Sequence, residues 1–129
     1  TFKSMIRDLS LDYPDFLIAS SEWFAFVPAK EYFDEPGDHA DELETSVMMH
    51  YHPELVNLDE AGNGDYKKFT SQMLNEKVAW IPRNWQKVSQ DTGIGNPKKA
   101  SAGKGKKYAE AVVAKYALLF EELVHKELY

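Results

Sequence analysis

The sequence predicts an α/β fold, part of a layered, mostly parallel sheet flanked by helices. Three observations predict it. Segments 1–11, 39–51 and about 101–128 carry apolar residues at helical spacing. Short apolar runs without that period, "FLIAS" and "VAWI", lie between them and read as buried strands. The resulting order of helix, strand, helix, strand, helix is that of α/β layering. Two or three strands are too few for an independent sheet of this kind. The pattern therefore points to one domain of which these 129 residues are a part.

The first segment, "TFKSMIRDL", sets Phe2, Met5, Ile6 and Leu9 at helical spacing. It stops at "DYP", because the residue before Pro14 is pushed out of the α region. "DFLIASSEWFAFV", 15–27, is aromatic and apolar, with a strand expected over 16–20 and continuing to 27. Residues 28–38 carry two prolines and a glycine and form a loop. A helix over 39–51 follows, with Asp38 as its expected N-cap and Asp41 or Glu42 near N3, ended by Pro53. Residues 55–65 are loop, with "NGD" as a turn. "YKKFTSQMLNEKVAWIP" divides into a short helix and the brief strand "VAWI". The Gly-rich "SQDTGIGNPKKASAGKGKK" is loop. The last helix, about Ser101 to Leu128, carries Ala109, Val112, Val113, Tyr116, Leu119, Phe120 and Leu123 as its apolar stripe.

Composition excludes several classes of function. The hydrophobic content of 43% suits a packed core, and the net charge of −6 disfavours a nucleic-acid surface. The chain has no cysteine, so thiol catalysis and disulfides are out and any metal must be held by His, Asp and Glu. Absence of cysteine fits a reducing compartment, and a cytoplasmic location is expected. No apolar run reaches the ~18 residues that a membrane span needs. The run Lys98, Lys99, Lys104, Lys106 and Lys107 sits among Gly and Ser and reads as a solvated loop and helix start.

The sharpest feature is Glu44. In a helix beginning near Asp38, Ala40, Leu43, Val47, Met48 and Tyr51 form the inward stripe, and Glu44 falls inside it. A buried carboxylate is protonated, paired or bound to a cation. Two readings follow: a metal ligand or catalytic group, or a structural ion pair on a helix rotated from this register. His39, at the helix start, is a candidate neutral base, because a helix N-terminus disfavours the imidazolium. The plain alternative is a polar residue at a loop. His50 and His52 point ~200° apart on a helix and cannot share a metal. "GIGNPKKASAGKGKK" lacks the Ser or Thr that a phosphate loop requires after Gly-Lys. Trp23 and Phe24 follow an apolar strand and are placed either to line a pocket at its carboxyl end or to pack in the core. Thr1 as an N-terminal nucleophile has no support elsewhere in the chain.

"HADELETSVMMHYHPELV" resembles the creatininase (creatinine amidohydrolase) family. Members carry a segment close to H-A-G-E-x-E-T-S, matched here by His39, Ala40, Glu42, Glu44, Thr45 and Ser46, with Asp41 in place of Gly. "GIGNPKKASAGKG" is similar to the family's G-x-x-G-D/N-P…A-S/T-x-x-K/R-G segment. The two motifs stand in the family's order, and the resemblance covers nearly the whole chain. Family members are about twice this length, and their first half carries E-Q-H-G-x-H…D and N-G-H-G-G-N segments that this chain lacks. The resemblance therefore implies the C-terminal half of a creatininase-like fold.

It also implies metal-dependent hydrolysis of an amide or cyclic amide C–N bond. Two divalent ions, zinc and/or manganese, are implied, with Glu44 a metal ligand and most other ligands supplied from outside this chain. His39 is implied as the acid/base that protonates the leaving nitrogen. An acid and an aromatic precede this His in creatinine-cleaving members. Here that place reads Glu35-Pro36-Gly37-Asp38, so Asp38 is the implied substrate contact, with Trp23 a further candidate. The missing aromatic argues against creatinine itself. Implied partners are the N-terminal half of the same protein, a small amide substrate and further copies in a homo-oligomer. The alternative is a catalytically silent relative kept as a structural or binding subunit.

Overall fold

The computed structural model describes residues 2–125 and Glu127. Thr1 and Leu128, which figured in the sequence expectations, lie outside them. The helices are α1 (Phe2–Asp12), α2 (Glu42–Tyr51), α3 (Gln72–Asn75), α4 (Trp85–Val88) and α5 (Ala102–His125). Long loops carrying single 3-10 turns connect them.

The expected α/β sheet is absent: no strand forms among the described residues. An extended run becomes a strand only by exchanging backbone hydrogen bonds with a neighbour. Residues 16–20 find no such neighbour, and Phe16 and Leu17 remain exposed. Trp23–Ala25 is a 3-10 turn instead of a strand continuation. "VAWI" is likewise irregular, with Val78 and Trp80 exposed. Apolarity alone does not supply a partner edge. The β pairing that does form is an isolated antiparallel bridge between His39 and Ile94.

What organises the chain is the crossing of α2 on α5. Tyr108 is fully buried at its centre, packed with Phe33, Leu43 and Val112. Trp23, Tyr32 and Phe33 set their rings 5.2–6.1 Å from that of Tyr108. The Tyr108 hydroxyl donates to the Phe24 carbonyl at 2.9 Å, which ties the 3-10 turn to the core. Burial pushes that hydroxyl's pKa up. The helices meet backbone to backbone at Gly105, where a Cβ would stand 1.9 Å from the Ser46 carbonyl oxygen. Ser46 Oγ in turn accepts from the Ser101 N–H at 3.1 Å, and Ser101 Oγ accepts from the Lys104 N–H at 3.3 Å. The start of α5 is thus capped by Ser101 and moored to α2. Ala109 and Val112 of its stripe are buried, whereas Val113 and Phe120 are exposed. Helix α1 keeps its predicted period but has no buried residue.

Helix α2 begins three residues later than its pattern suggests. Asp41 is the N-cap in place of Asp38, accepting the Glu44 N–H at 2.9 Å. Ala40 stands outside the helix at φ +48°, a left-handed conformation uncommon for a residue with a Cβ. The inward face also differs from the expected stripe: Glu42, Leu43 and Ser46 are buried, Glu44 is not, and Met48 and Tyr51 are exposed.

Candidate active site at the His39 loop

The loop from Phe33 to Asp41 is held from both ends. Glu42 is fully buried, and its Oε2 accepts the Glu35 N–H at 2.7 Å. Its Oε1 takes the ammonium of Lys104 in a close ion pair. Lys104 also reaches Asp34 at 2.8 Å and the Lys99 carbonyl at 3.2 Å. That hydrogen bond holds Asp34 below its ordinary pKa, and Lys99, 2.6 Å from Glu35, does the same there. Asp41 accepts the Gly37 N–H as well as capping α2. The bridge completes the fastening. The Asp38 and His39 N–H groups donate to the Ile94 carbonyl at 2.8 and 3.1 Å, and the Ile94 N–H donates to the His39 carbonyl at 2.8 Å. Gly37 and Gly95 touch beside it, since a Cβ on Gly37 would lie 2.7 Å from the Gly95 Cα.

These fastenings display His39 and Glu44. His39 Nδ1 lies 3.5 Å from Glu44 Oε2, and that oxygen also accepts the Ala40 N–H at 2.7 Å. The left-handed turn at Ala40 aims its N–H back at Glu44. The two side chains are 47% and 38% exposed, open enough for a substrate to reach. Glu44 lines a cavity of about 450 Å³ with Thr45, Met48, Asp91 and the loop 55–64. The Gly93 N–H holds Asp91 below its ordinary pKa there.

On the other side of the bridge, Asp38 is clamped by Arg83 through two parallel bonds of 2.7 and 2.6 Å. That pairing depresses the Asp38 pKa and raises that of Arg83. Arg83 sits 5.6 Å over the Trp85 ring, and Trp85 packs 5.3 Å from the His39 ring. Asp38 and Trp85 line a second cavity of about 1130 Å³.

The predicted site residues thus separate. His39, Glu44 and Asp38 come together at the loop. Trp23 packs edge-on against Tyr108 in the core and lines neither cavity. His52 pairs with Glu54 at 3.2 Å in the open, and His50 packs on Tyr51, 4.6 Å between rings. Sequence reasoning placed Glu42 in the motif but not as the buried acid, and it missed Arg83 and Trp85. The capping pattern at Asp41 was the available signal for Glu42. Nothing local in the sequence marks Arg83 and Trp85, which reach the site from more than forty positions away. Among the described residues no three His, Asp or Glu side chains gather as a metal site would require. No helix among them is long and apolar enough to cross a membrane.

An imidazole on the loop and a carboxylate on the first turn of α2 thus face each other, with a buried acid–lysine pair behind them. The chain matches the Creatininase family, described as creatinine amidohydrolase, over residues 1–120, and it belongs to that family. Among solved structures it is similar to a crystal structure described as a "putative creatinine amidohydrolase" from Bacteroides fragilis NCTC 9343. The two are 59% identical with a TM-score of 0.93, and the match covers 100% of this chain and 51% of that one. The chain spans about half the length of that protein. No curated protein matches it.

Proposed function

We propose that this chain supplies part of the active site of a metal-dependent amidohydrolase that cleaves an amide or cyclic amide C–N bond. The observation that carries the reading is the 3.5 Å approach of His39 to Glu44 on the displayed loop, in a chain of the creatininase family. The residues fit a divalent metal site only in part. Glu44 offers one carboxylate, and a hydrolytic zinc normally takes three protein ligands. The remaining ligands come from outside this chain, from the N-terminal half of the same protein assembled as a homo-oligomer in the cytoplasm. Zinc or manganese bound there would lower the pKa of a water and polarise the scissile carbonyl.

The chain's own residues do the rest. The Ala40 N–H fixes one Glu44 oxygen, so the carboxylate is oriented before any ion arrives. His39, with Nδ1 toward Glu44, keeps Nε2 for the substrate. As the water oxygen bonds to the carbonyl carbon, His39 takes up the proton the water gives up, and as the C–N bond breaks it delivers that proton to the leaving nitrogen. Asp38, fixed by Arg83, borders the substrate's path.

The test separates the two roles. In the complete protein, Glu44→Gln should lose bound metal and activity together. His39→Ala should keep its metal while turnover falls on the order of 10²–10⁴-fold. Full metal occupancy in Glu44→Gln would make Glu44 a structural partner and overturn its assignment.

A further inference from the structure

The larger cavity has a composition that hydrolysis alone does not require. At about 1130 Å³ it exceeds the needs of a small cyclic amide, since pockets of ~300–1,000 Å³ already hold drug-sized ligands. Of its aromatic lining, Tyr66, Trp80 and Trp85 present rings that are open to solvent to some degree. Such rings take planar π systems by offset stacking. Trp85 is in contact with His39, so a group stacked there lies beside the reacting centre.

Charge narrows the class. The two acids of this cavity are already neutralised, Asp38 by Arg83 and Glu35 by Lys99. Lys67, Lys68 and Lys77 line the same cavity and make no ion pair among the described residues. A chain of net charge −6 therefore turns a positive wall to this space. A cleft lined by one sign of charge concentrates ligands of the other.

We infer that this cavity holds the non-reacting part of the substrate, a planar conjugated group bearing a negative charge. Trp85 stacks on that group, and the three lysines select its charge. The inference rests on the reading of His39 as the acid/base of an amidohydrolase.

Two probes with the same ring and amide test it: 4-acetamidobenzoate, which carries a carboxylate, and acetanilide, which does not. Binding to the purified protein is measured by calorimetry at low and at moderate salt, with hydrolysis followed separately. The carboxylate should bind about tenfold tighter at low salt, with the margin shrinking as salt screens the lysines. Lys67→Gln/Lys68→Gln/Lys77→Gln should abolish the margin. Trp85→Leu should weaken both probes alike, and Trp85→Phe should restore them in part. Equal affinities, no binding of either probe, or a margin that survives loss of the lysines would each overturn the inference. Hydrolysis that needs His39 and Glu44 with equal probe affinities would defeat the cavity alone. A clear carboxylate preference with no amide hydrolysed would defeat the amidohydrolase reading and leave the cavity as a binding site.

Discussion

Lys104 reaches from the first turn of α5 to the carboxylate of Glu42, which has no exposure to solvent. The ammonium itself stays partly wet, which leaves the two partners unequal. Removing the lysine strands a buried anion, whereas neutralising the acid leaves a cation that can turn to water. Lys104→Met should therefore lower the unfolding midpoint more than Glu42→Gln, and the double variant should recover part of the loss. Chemical denaturation of the three proteins checks the order. A Glu42→Gln loss equal to that of Lys104→Met would mean the pair contributes through shape alone.

Two glycines of α5 should respond in opposite directions. Gly105→Ala forces a methyl against the Ser46 carbonyl and should destabilise by roughly 1–3 kcal/mol through overpacking. Gly103 has nothing within 4 Å of a built Cβ, so Gly103→Ala should stabilise by roughly 0.5–1 kcal/mol through helix propensity. Urea titrations of both variants decide this.

The Tyr108 hydroxyl offers a third test. Tyr108→Phe keeps the buried ring and leaves the Phe24 carbonyl without its donor, a loss of about 1 kcal/mol. Tyr108→Ala empties the centre of the core and should remove roughly 3–5 kcal/mol. Thermal melts should rank the two accordingly, and equal melting points would show that the ring is not the centre of packing.

Helices α1 and α5 were legible because their apolar period is long and uninterrupted. The inner face of α2 was not. The spacing of its apolar residues is compatible with two starts, and the choice falls to Ala40, whose left-handed backbone expels it from the helix. The helix then turns Glu42, Leu43 and Ser46 inward, so that Glu42 rather than Glu44 is the buried acid. The strands failed for a different reason: whether "FLIAS" pairs depends on an edge supplied by other residues, and none among those described supplies it. His39 and Glu44 were visible as a local motif. Arg83 and Trp85 join them only through the fold.

Acid should loosen the Asp38 clamp. Arg83 depresses the Asp38 pKa in the folded state, so the stabilisation is whole above the unfolded-state value. It is lost as pH falls through the lower, folded-state value. Trp85 fluorescence should accordingly change on the acid side of the ordinary carboxylate range, and Asp38→Asn should flatten that change. An acid transition unaltered in Asp38→Asn would place its origin at another carboxylate.

The contact of Gly37 with Gly95 also has a consequence for redesign. Gly95 stands at φ +124°, and a side chain on it would meet the Asp41 Cβ at 2.8 Å. The two loops that present the candidate site thus meet as bare backbone, with no side chain between them to trade. A library seeking new substrates has little to gain by varying these positions, however close they lie to His39. Diversity belongs at Tyr66, Trp80 and the neighbouring lysines, whose side chains end in open space and can be exchanged without moving the loop that presents the candidate site.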